Sequence, residues 1–561
     1  MKPAIMVQSD CSLLLNSSSP FAEEAQRGIK AFSELIKQLG QYEVYELTPL
    51  TIWNALSSGF SGQKIWNYLH TYKKSELPLS VEQRLHCWIS RYGKLSLKKM
   101  NNKAILTGEK ELLDEVSQLE SVVPLLEEFC NFEGLEGFSI LLEHRGLVKQ
   151  LLARHEYCVL DEVGYQDGES VPFQIKKQTL KNKTFQLRDY QRKAIASFHR
   201  DKLGGNGVIV LPCGTGKTIT GIGVLASLQC AALILTSSIT ACEQWKAEML
   251  DKTSLTEEII GIYGGELREV RPITIATYHI LTYRSKKDET YRHMKLFNER
   301  DWGLIIYDEV QLLPAPVFRM TASIQATRRL GLTATLIRED GCAPDVYSLV
   351  GPKLYDMQWK QAEEEQYIAK VNCFEIRVAL AEQYAKEFAK LGKKEQLKLA
   401  AINERKLTVV KSLLEKHYNQ HILIIGQYIE QLQYIARHLK APLLTGTTSY
   451  EQRNELYSKF RSGQVKVLVV SKIANLAVDL PDASVAIQVS GSFGSRQEEA
   501  QRIGRILRPK AQNEAWFYSL VTSGSKETEF AVKRGMFMLE QGYQYQCLIE
   551  NEVLSKNETF I

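Results

Sequence analysis

The sequence predicts an α/β protein: two tandem parallel-sheet domains, an N-terminal α+β accessory region, and a helical insertion in the second sheet domain. Three observations carry this reading. Between about Gly207 and Val350, short β-branched runs alternate with helical patterns, and the same alternation returns after Lys406. The stretch between them, Ala381 to Lys406, is helical in composition and has no strand pattern. The first 180 or so residues are less regular than either. At 561 residues the chain is too long for one core, and a hydrophobic fraction of 44% with 24% charged residues is ordinary for a soluble protein.

In the N-terminal region, Ala22–Leu39 and Leu112–Phe129 show helical spacing, the second through Leu112, Val116, Leu119 and Val123. Thr51–His70 predicts a small helical hairpin interrupted by Gly59-Phe60-Ser61-Gly62, and a turn-rich stretch, Gly164–Pro172, leads onward. In the first sheet domain Val208–Leu211, Leu233–Leu235, Ile273–Ala276 and Leu304–Tyr307 are near-continuous apolar runs. Strands with both faces covered by helices read this way. In the second, Ile422–Ile425, Val467–Val470, Val485–Ile487 and Trp516–Val521 repeat the pattern. The insertion carries Lys386, Lys390, Lys393, Lys394, Lys398, Arg405 and Lys406 among glutamates, which is either a solvated face or a set of phosphate contacts.

Composition excludes several classes. No apolar run reaches bilayer length, so no membrane partner is expected, and the N-terminus lacks the pattern of a secretory signal. The ten cysteines form no CxxC pair and read as reduced, small apolar residues rather than zinc or iron–sulfur ligands. A net charge of +5 permits a polyanion partner without arguing for one.

The chemistry sits in five segments. Gly214-Thr215-Gly216-Lys217-Thr218 follows an apolar strand and opens a helix, the context a phosphate-binding loop requires. Its glycines let backbone N–H groups face phosphate oxygens, Lys217 can reach the β- and γ-phosphates, and Thr218 can offer a hydroxyl to Mg²⁺. About ninety residues downstream, Asp308-Glu309 ends a strand; Asp308 is placed to hold Mg²⁺ and Glu309 to polarise the attacking water. Gly331-Leu332-Thr333-Ala334-Thr335 forms a further strand end, whose Thr333 and Thr335 hydroxyls can carry a hydrogen-bond rearrangement. Far downstream, Arg505 and Arg508 lie three apart in Gln501-Arg502-Ile503-Gly504-Arg505-Ile506-Leu507-Arg508 and can stabilise transition-state charge. Upstream of the first sheet, Leu187-Arg188-Asp189-Tyr190-Gln191 offers a nucleotide-binding pair in Arg188 and Gln191. The Gln191 amide suits an adenine edge and favours ATP. Taken one by one, each motif has an ordinary alternative: a surface DE pair, plain β-propensity, exposed arginines. Their order is that of a nucleic-acid-driven motor.

Together these residues resemble superfamily 2 helicases of the XPB/Ssl2 branch. The resemblance rests on Gln244-Trp245-Lys246, Ala276-Thr277-Tyr278, Gly331 to Asp340, Gly351-Pro352-Lys353-Leu354-Tyr355, Ser471-Lys472, Asp479-Leu480-Pro481, Gly494 to Arg505 and Gln541-Gly542-Tyr543. Leu47 to Ala55 and Ser90-Arg91-Tyr92-Gly93 are similar to that family's helicase-associated region. It implies two RecA-like domains and a division into 1–100 (helicase-associated), 101–178 (damage-recognition-like), 179–355 (first RecA-like domain) and 356–561 (second, with a thumb-like insertion at about 381–406). It implies an ATP- and Mg²⁺-dependent 3′→5′ DNA helicase or translocase acting in repair, with Asp479 in the nucleotide site. Arg338-Glu339-Asp340 would match the family's duplex-opening motif. The implied partners are single-stranded, forked or damaged duplex DNA and, by analogy with archaeal relatives, a nuclease; the implied location is cytoplasmic and nucleoid-associated. A double-strand translocase that does not separate strands is the alternative, and a damage-binding scaffold with an ATP switch is a third reading. Two positions depart from the pattern. Gln311 stands where this branch usually has histidine, the position coupling hydrolysis to nucleic acid, and Ala477 stands where many members have glycine.

Overall fold

The computed structural model describes residues 2–39, 41–199, 205–284, 292–324, 327–335, 343–380, 384, 388, 390–471, 483–491, 499, 502–504, 506, 513–543 and 545–555. The chain divides into two compact units: residues 1–211 with 216–356, and 357–561 together with residues 212–215. Among the described residues no helix is long and apolar enough to cross a membrane.

The first unit is built on an eight-stranded sheet. Its spatial order is Leu267–Arg268, Ile260–Gly264, Ile273–Thr277, Ala232–Thr236, Leu304–Asp308, Arg328–Thr333, Asn206–Val210, Lys353–Asp356. Every pairing is parallel except that of the short Leu267–Arg268 edge. The central strands are buried on both faces, as their unbroken apolar sequences require: all five residues of Ala232–Thr236 and of Ile273–Thr277 are buried. The four predicted strands are all present. Those at Ile260–Gly264 and Lys353–Asp356, which sequence periodicity did not single out, complete the sheet.

The N-terminal region contributes two smaller sheets to the same unit. Ile5–Val7, Ser12–Asn16, Tyr42–Glu46 and Glu34–Leu39 form an antiparallel sheet in that order. Phe129–Phe132, Leu135–Leu141, Lys103–Gly108, Leu95–Met100 and Val159–Glu162 form the second, closed by a parallel pairing of its last two strands. The hairpin predicted at Thr51–His70 is formed by helices Pro49–Ser57 and Gly62–Tyr72. Thr48 caps the first through a reciprocal bond with Thr51, and Pro49 occupies the first turn, where its missing N–H costs nothing.

Two predicted helices are shorter than their spacing suggested. Over Ala22–Leu39 the helix ends at Ile29, and Glu34–Leu39 is a strand paired with Tyr42–Glu46. Sheet pairing has overridden a periodicity that short apolar stretches share between helix and strand. Over Leu112–Phe129 the helix covers only Lys110–Val116, and Pro124 lies in a separate 3₁₀ turn, Val123–Leu125. The break rotates the apolar face. Val122 is fully buried, whereas Val123 is 44% exposed.

The N-terminal region packs on the sheet through buried charge. Helix Arg145–Arg154 lies against helices Ala315–Ser323 and Ala343–Leu349. Contact is close enough that a Cβ at Gly146 would sit 2.2 Å from the Ala322 carbonyl oxygen. Beneath it, the Asp161 carboxylate accepts from Arg145 Nε at 2.8 Å and Lys149 Nζ at 2.6 Å. Burial alone would raise this carboxyl, but Lys149 and Arg145 outweigh it and hold Asp161 well below the usual carboxylate range. Arg154 pairs with Asp345 at 3.1 Å, the Trp53 ring lies 5.9 Å from that of Tyr347, and Asn54 Oδ1 accepts from the Lys353 N–H at 3.1 Å.

The second unit is a seven-stranded, all-parallel sheet in the order Leu443–Leu444, Val467–Ser471, Ile422–Gly426, Val485–Gln488, Glu514–Thr522, Lys370–Val378, Tyr545–Ile549. Its four predicted strands are present. The core gathers Ile376, Val409, Val410, Ile424, Leu432, Val469, Val485 and Ile487 from both sheet and helices. In the predicted lysine-rich insertion, residues 381–383, 385–387 (with Lys386) and 389 lie outside the described residues. The described part is helix Lys393–Ala401 followed by Arg405–Lys416. Lys406 makes no phosphate contact: it is fully buried, bonded to Glu527 at 2.8 Å and to the Val489 carbonyl at 2.9 Å. Arg405 pairs with Glu550 at 2.5 Å. Lys406 closes the domain's own core because a buried ammonium must find a counter-charge, whereas Arg405 pairs at the surface with its side chain 43% exposed.

Asp161→Asn leaves Arg145 and Lys149 buried without their shared counter-charge. It is expected to lower unfolding free energy by about 3–5 kcal/mol, measured by denaturant titration at pH 7.

Candidate active site

The loop between strand Asn206–Val210 and helix Lys217–Leu228 is shaped by two left-handed glycines, Gly214 at φ +82° and Gly216 at φ +85°. Any other residue there would be strained. Thr215 is buried and its hydroxyl donates to the Pro212 carbonyl at 2.7 Å, which turns its side chain inward. A Cβ at Gly216 would lie 2.9 Å from Gln191 Nε2, so that backbone stays bare. Lys217 and Thr218 are the first two residues of the helix, whose N-terminus carries unsatisfied N–H groups and partial positive charge. Loop and helix end together make an anion cradle.

Gln191 stands beside this cradle. It is 4% exposed, and its Oε1 accepts from the Arg188 backbone N–H at 2.9 Å, capping helix Asp189–Phe198. Arg188 reaches the Tyr190 hydroxyl at 3.3 Å. The Gln191 acceptor is thus engaged by its own chain, while its Nε2 amide lies next to Gly216.

Strand Leu304–Asp308 delivers the acidic pair. It runs parallel to Arg328–Thr333, with Asp308 opposite Leu332. Glu309 follows in the left-handed region, φ +53° and ψ +56°, a costly conformation for a residue with a Cβ. That kink ends the strand. Glu309 Oε1 lies 3.6 Å from Lys217 Nζ, and its Oε2 accepts from Gln311 Nε2 at 2.6 Å. Gln311 Oε1 in turn accepts from the Thr333 hydroxyl at 2.6 Å, and the Thr335 N–H donates to Thr333 Oγ1 at 3.0 Å. The Thr333 hydroxyl also approaches the Thr335 carbonyl. Lys217, Glu309, Gln311, Thr333 and Thr335 therefore form one continuous polar chain across the sheet's C-terminal edge.

Asp308 is anchored differently. Its Oδ2 accepts from Trp245 Nε1 at 2.9 Å, and its backbone carbonyl accepts from the Tyr278 hydroxyl at 3.1 Å. Burial and the neighbouring Glu309 carboxylate push its carboxyl up to about 6. Trp245 and Tyr278 were visible in the sequence only as parts of motifs. Their hold on Asp308 comes from helix Ile239–Lys252 and the turn after Ile273–Thr277, and has no local sequence signal.

This arrangement fits a divalent cation with a polyphosphate. A buried carboxylate whose proton affinity is raised by a second carboxylate is a site that a cation relieves, and Thr218 offers a hydroxyl on the adjacent helix turn. Asp308 and Thr218 would hold Mg²⁺, which would supply charge neutralisation to the phosphates. Of the remaining predicted site residues, Arg338, Glu339, Asp340, Asp479, Arg505 and Arg508 lie outside the described residues.

The Asp308 shift predicts a stability effect of definite sign. Its folded value, about 6, lies above the unfolded 3.8, so the native state takes up the proton more readily and its ionisation opposes folding. That cost is present in full above the folded value and vanishes below the unfolded one. Without divalent cations, Asp308→Asn should therefore have a higher unfolding free energy than the parent at pH 7, by roughly 1–3 kcal/mol, with the gap closing towards pH 4. A gap that stays constant from pH 4 to pH 7 in calorimetry would contradict the assignment.

Comparison with known proteins places this geometry in a family. Residues 362–561 match the family model described as ERCC3/RAD25/XPB C-terminal helicase. Residues 5–128 match a helicase conserved C-terminal domain, and residues 184–338 match the type III restriction enzyme res subunit. The chain is 44% identical to the DNA 3′-5′ helicase XPB of Mycobacterium tuberculosis, over 96% of its own length and 97% of that protein. It is 41% identical to the DNA 3′-5′ helicase XPB of Kineococcus radiotolerans, over 98% and 97%. It is 27% identical to the general transcription and DNA repair factor IIH helicase/translocase subunit XPB/SSL2 of Saccharomyces cerevisiae, covering 98% of this chain and 72% of that one. On a near full-length match at this identity, the chain belongs to the XPB family of superfamily 2 helicases.

Proposed function

We propose that this chain is an ATP-dependent, 3′→5′ DNA helicase of the XPB type, using Mg²⁺ and acting in DNA repair at the nucleoid. The observation that carries the reading is the unbroken polar chain from Lys217 through Glu309 and Gln311 to Thr333 and Thr335. It joins the phosphate cradle to the C-terminal ends of the two neighbouring strands, Leu304–Asp308 and Arg328–Thr333.

In this reading Lys217 and the loop N–H groups bind the β- and γ-phosphates, and the glycines keep side chains out of the anion's space. A γ-phosphate competes with Glu309 for the Lys217 ammonium. Once Lys217 turns to phosphate, the Glu309 carboxylate is released to accept a proton from the attacking water. Its Oε2 stays oriented by Gln311. Gln191 orients the base from beside Gly216 through its Nε2 donor, and Arg188 flanks it. Arg505 and Arg508 stabilise charge on the transferring phosphoryl group, and Asp479 completes the nucleotide site. The Arg338-Glu339-Asp340 segment opens the duplex. The domain division at about residues 100, 178 and 355, with a thumb-like element near 381–406, belongs to the same reading, as does a nuclease partner.

Gln311 takes the coupling position. Its amide donates to Glu309 and accepts from Thr333 at once, which a carboxamide does without change of protonation. Histidine at this position would titrate near neutral pH; glutamine does not. Coupling through this residue is therefore insensitive to pH between 6 and 8.

Lys217→Ala and Glu309→Gln should each lower DNA-stimulated ATP hydrolysis by about 100-fold or more, and unchanged rates would sink the site assignment. Gln311→Ala should lose more of the DNA-stimulated rate than of the DNA-independent one. Arg338→Ala, with ATP hydrolysis retained, should fail to unwind a 3′-tailed duplex. If it unwinds normally, the duplex-opening role of Arg338 is wrong; a parent protein that hydrolyses ATP on duplex DNA without unwinding it would favour the double-strand translocase reading.

A further inference from the structure

Glu499 and Arg502, which precede Arg505 in sequence, are tied into the second unit by groups that the proposed hydrolysis does not use. Both are helical, and they are 1% and 0% exposed. A carboxylate and a guanidinium removed from water to this degree each need strong partners. Arg502 Nη1 donates to Gln488 Oε1, at the C-terminal end of strand Val485–Gln488. Glu499 Oε1 accepts from the Tyr545 hydroxyl at 3.0 Å, and its Oε2 lies 3.5 Å from Arg534 Nε. Arg534, 3% exposed, comes from helix Lys526–Glu540, and Tyr545 opens the edge strand Tyr545–Ile549. Burial and the Glu499 charge raise the Tyr545 hydroxyl well above its ordinary range, so it stays a donor at all working pH values.

Arg534 is itself confined. A Cβ at Gly491 would lie 2.4 Å from its guanidinium carbon, so glycine at that position leaves the guanidinium room. Glu499 and Arg502, three residues apart, are thus held at two points, Arg502 on the sheet and Glu499 on helix Lys526–Glu540 and strand Tyr545–Ile549. Helix neighbours at this spacing share a side, so the two anchors act on one face.

We propose that Tyr545, Arg534 and Glu499 are positioning residues for ATP hydrolysis, acting through the arginine segment. This rests on the reading of Arg505 as a charge-stabilising residue. Such a residue must be held to within a fraction of an ångström, and a displacement of about 1 Å costs on the order of 100-fold in rate. Strand Tyr545–Ile549 is accordingly a functional part of the motor.

The test is a double-mutant cycle on full-length protein, with DNA-stimulated ATPase as readout. Tyr545→Phe keeps the ring and removes one hydrogen bond. It should lower kcat about 3- to 10-fold, a loss typical of one hydrogen bond acting through a neighbour, with KM for ATP within about two-fold and Tm within a few degrees. Glu499→Gln, which keeps shape and loses charge, should behave alike and serves if Tyr545→Phe fails to fold. In an Arg505→Lys background, Tyr545→Phe should cost little more. An unchanged kcat in both single variants, full additivity with Arg505→Lys, or a kcat loss that follows Tm would overturn the proposal. An Arg505→Lys variant with parental kcat would instead overturn the underlying arginine assignment.

Discussion

The site depends on two adjacent carboxylates at the end of a buried strand. Asp308 and Glu309 follow four buried residues, Leu304 to Tyr307, and are themselves only partly exposed, so water solvates neither fully. Like charges this close in a low-dielectric setting repel, so the fold separates their fates. Asp308 stays in line with the strand, held by Trp245 and Tyr278, while a left-handed turn at Glu309 swings the second carboxylate towards Lys217 and Gln311. The strained φ at Glu309 is thus the means by which one strand end presents two acids to two different partners. The phosphate cradle shares this arrangement, since Lys217, at the first position of its helix, lies 3.6 Å from Glu309.

A second set of buried charges fixes the N-terminal region to the same sheet. Asp161 draws two cations from one helix face, Arg145 and Lys149, four residues apart. That helix presses on Ala315–Ser323 and Ala343–Leu349, which follow the acidic pair and the Thr333 strand in sequence. Replacing such a pair with apolar residues of similar volume need not destabilise a protein, so its worth lies in specifying a single seating of the region. A helix seated on the elements next to the site is well placed to feel their movement.

Much of the sheet architecture was legible because parallel strands buried on both faces must be continuously apolar, a signature few other elements share. The eight predicted motor strands are all present for this reason. Legibility failed where pattern and context compete. Glu34–Leu39 carries apolar residues that suit helix and strand alike, and only its antiparallel partner decides. Around Pro124 one residue of slippage exchanges Val122 for Val123 in the core. Lys406 shows the limit for charge: a lysine among lysines reads as solvated, and only the distant Glu527 reveals it as a core residue. In the candidate site, the loop, the acidic pair and the Thr333 strand were visible as motifs. The roles of Trp245 and Tyr278 were not, because they arise from packing across the sheet.

The polar chain also has a built-in ambiguity that bears on coupling. Thr333 has one hydroxyl proton and two acceptors within reach, Gln311 Oε1 and the Thr335 carbonyl, while its oxygen accepts from the Thr335 N–H. It can satisfy one acceptor fully at a time. With the proton on Gln311, the amide is braced and holds Glu309; with the proton on Thr335, the strand end is tightened and Gln311 is released. The two arrangements differ by a hydroxyl rotation rather than by a backbone movement, so the barrier between them is low. Under the proposed reading, these alternative hydrogen-bond arrangements lie between the hydrolytic Glu309 and the end of strand Arg328–Thr333. Placing a glutamine between Glu309 and Thr333 makes that exchange a matter of hydrogen-bond direction alone, with no proton gained or lost.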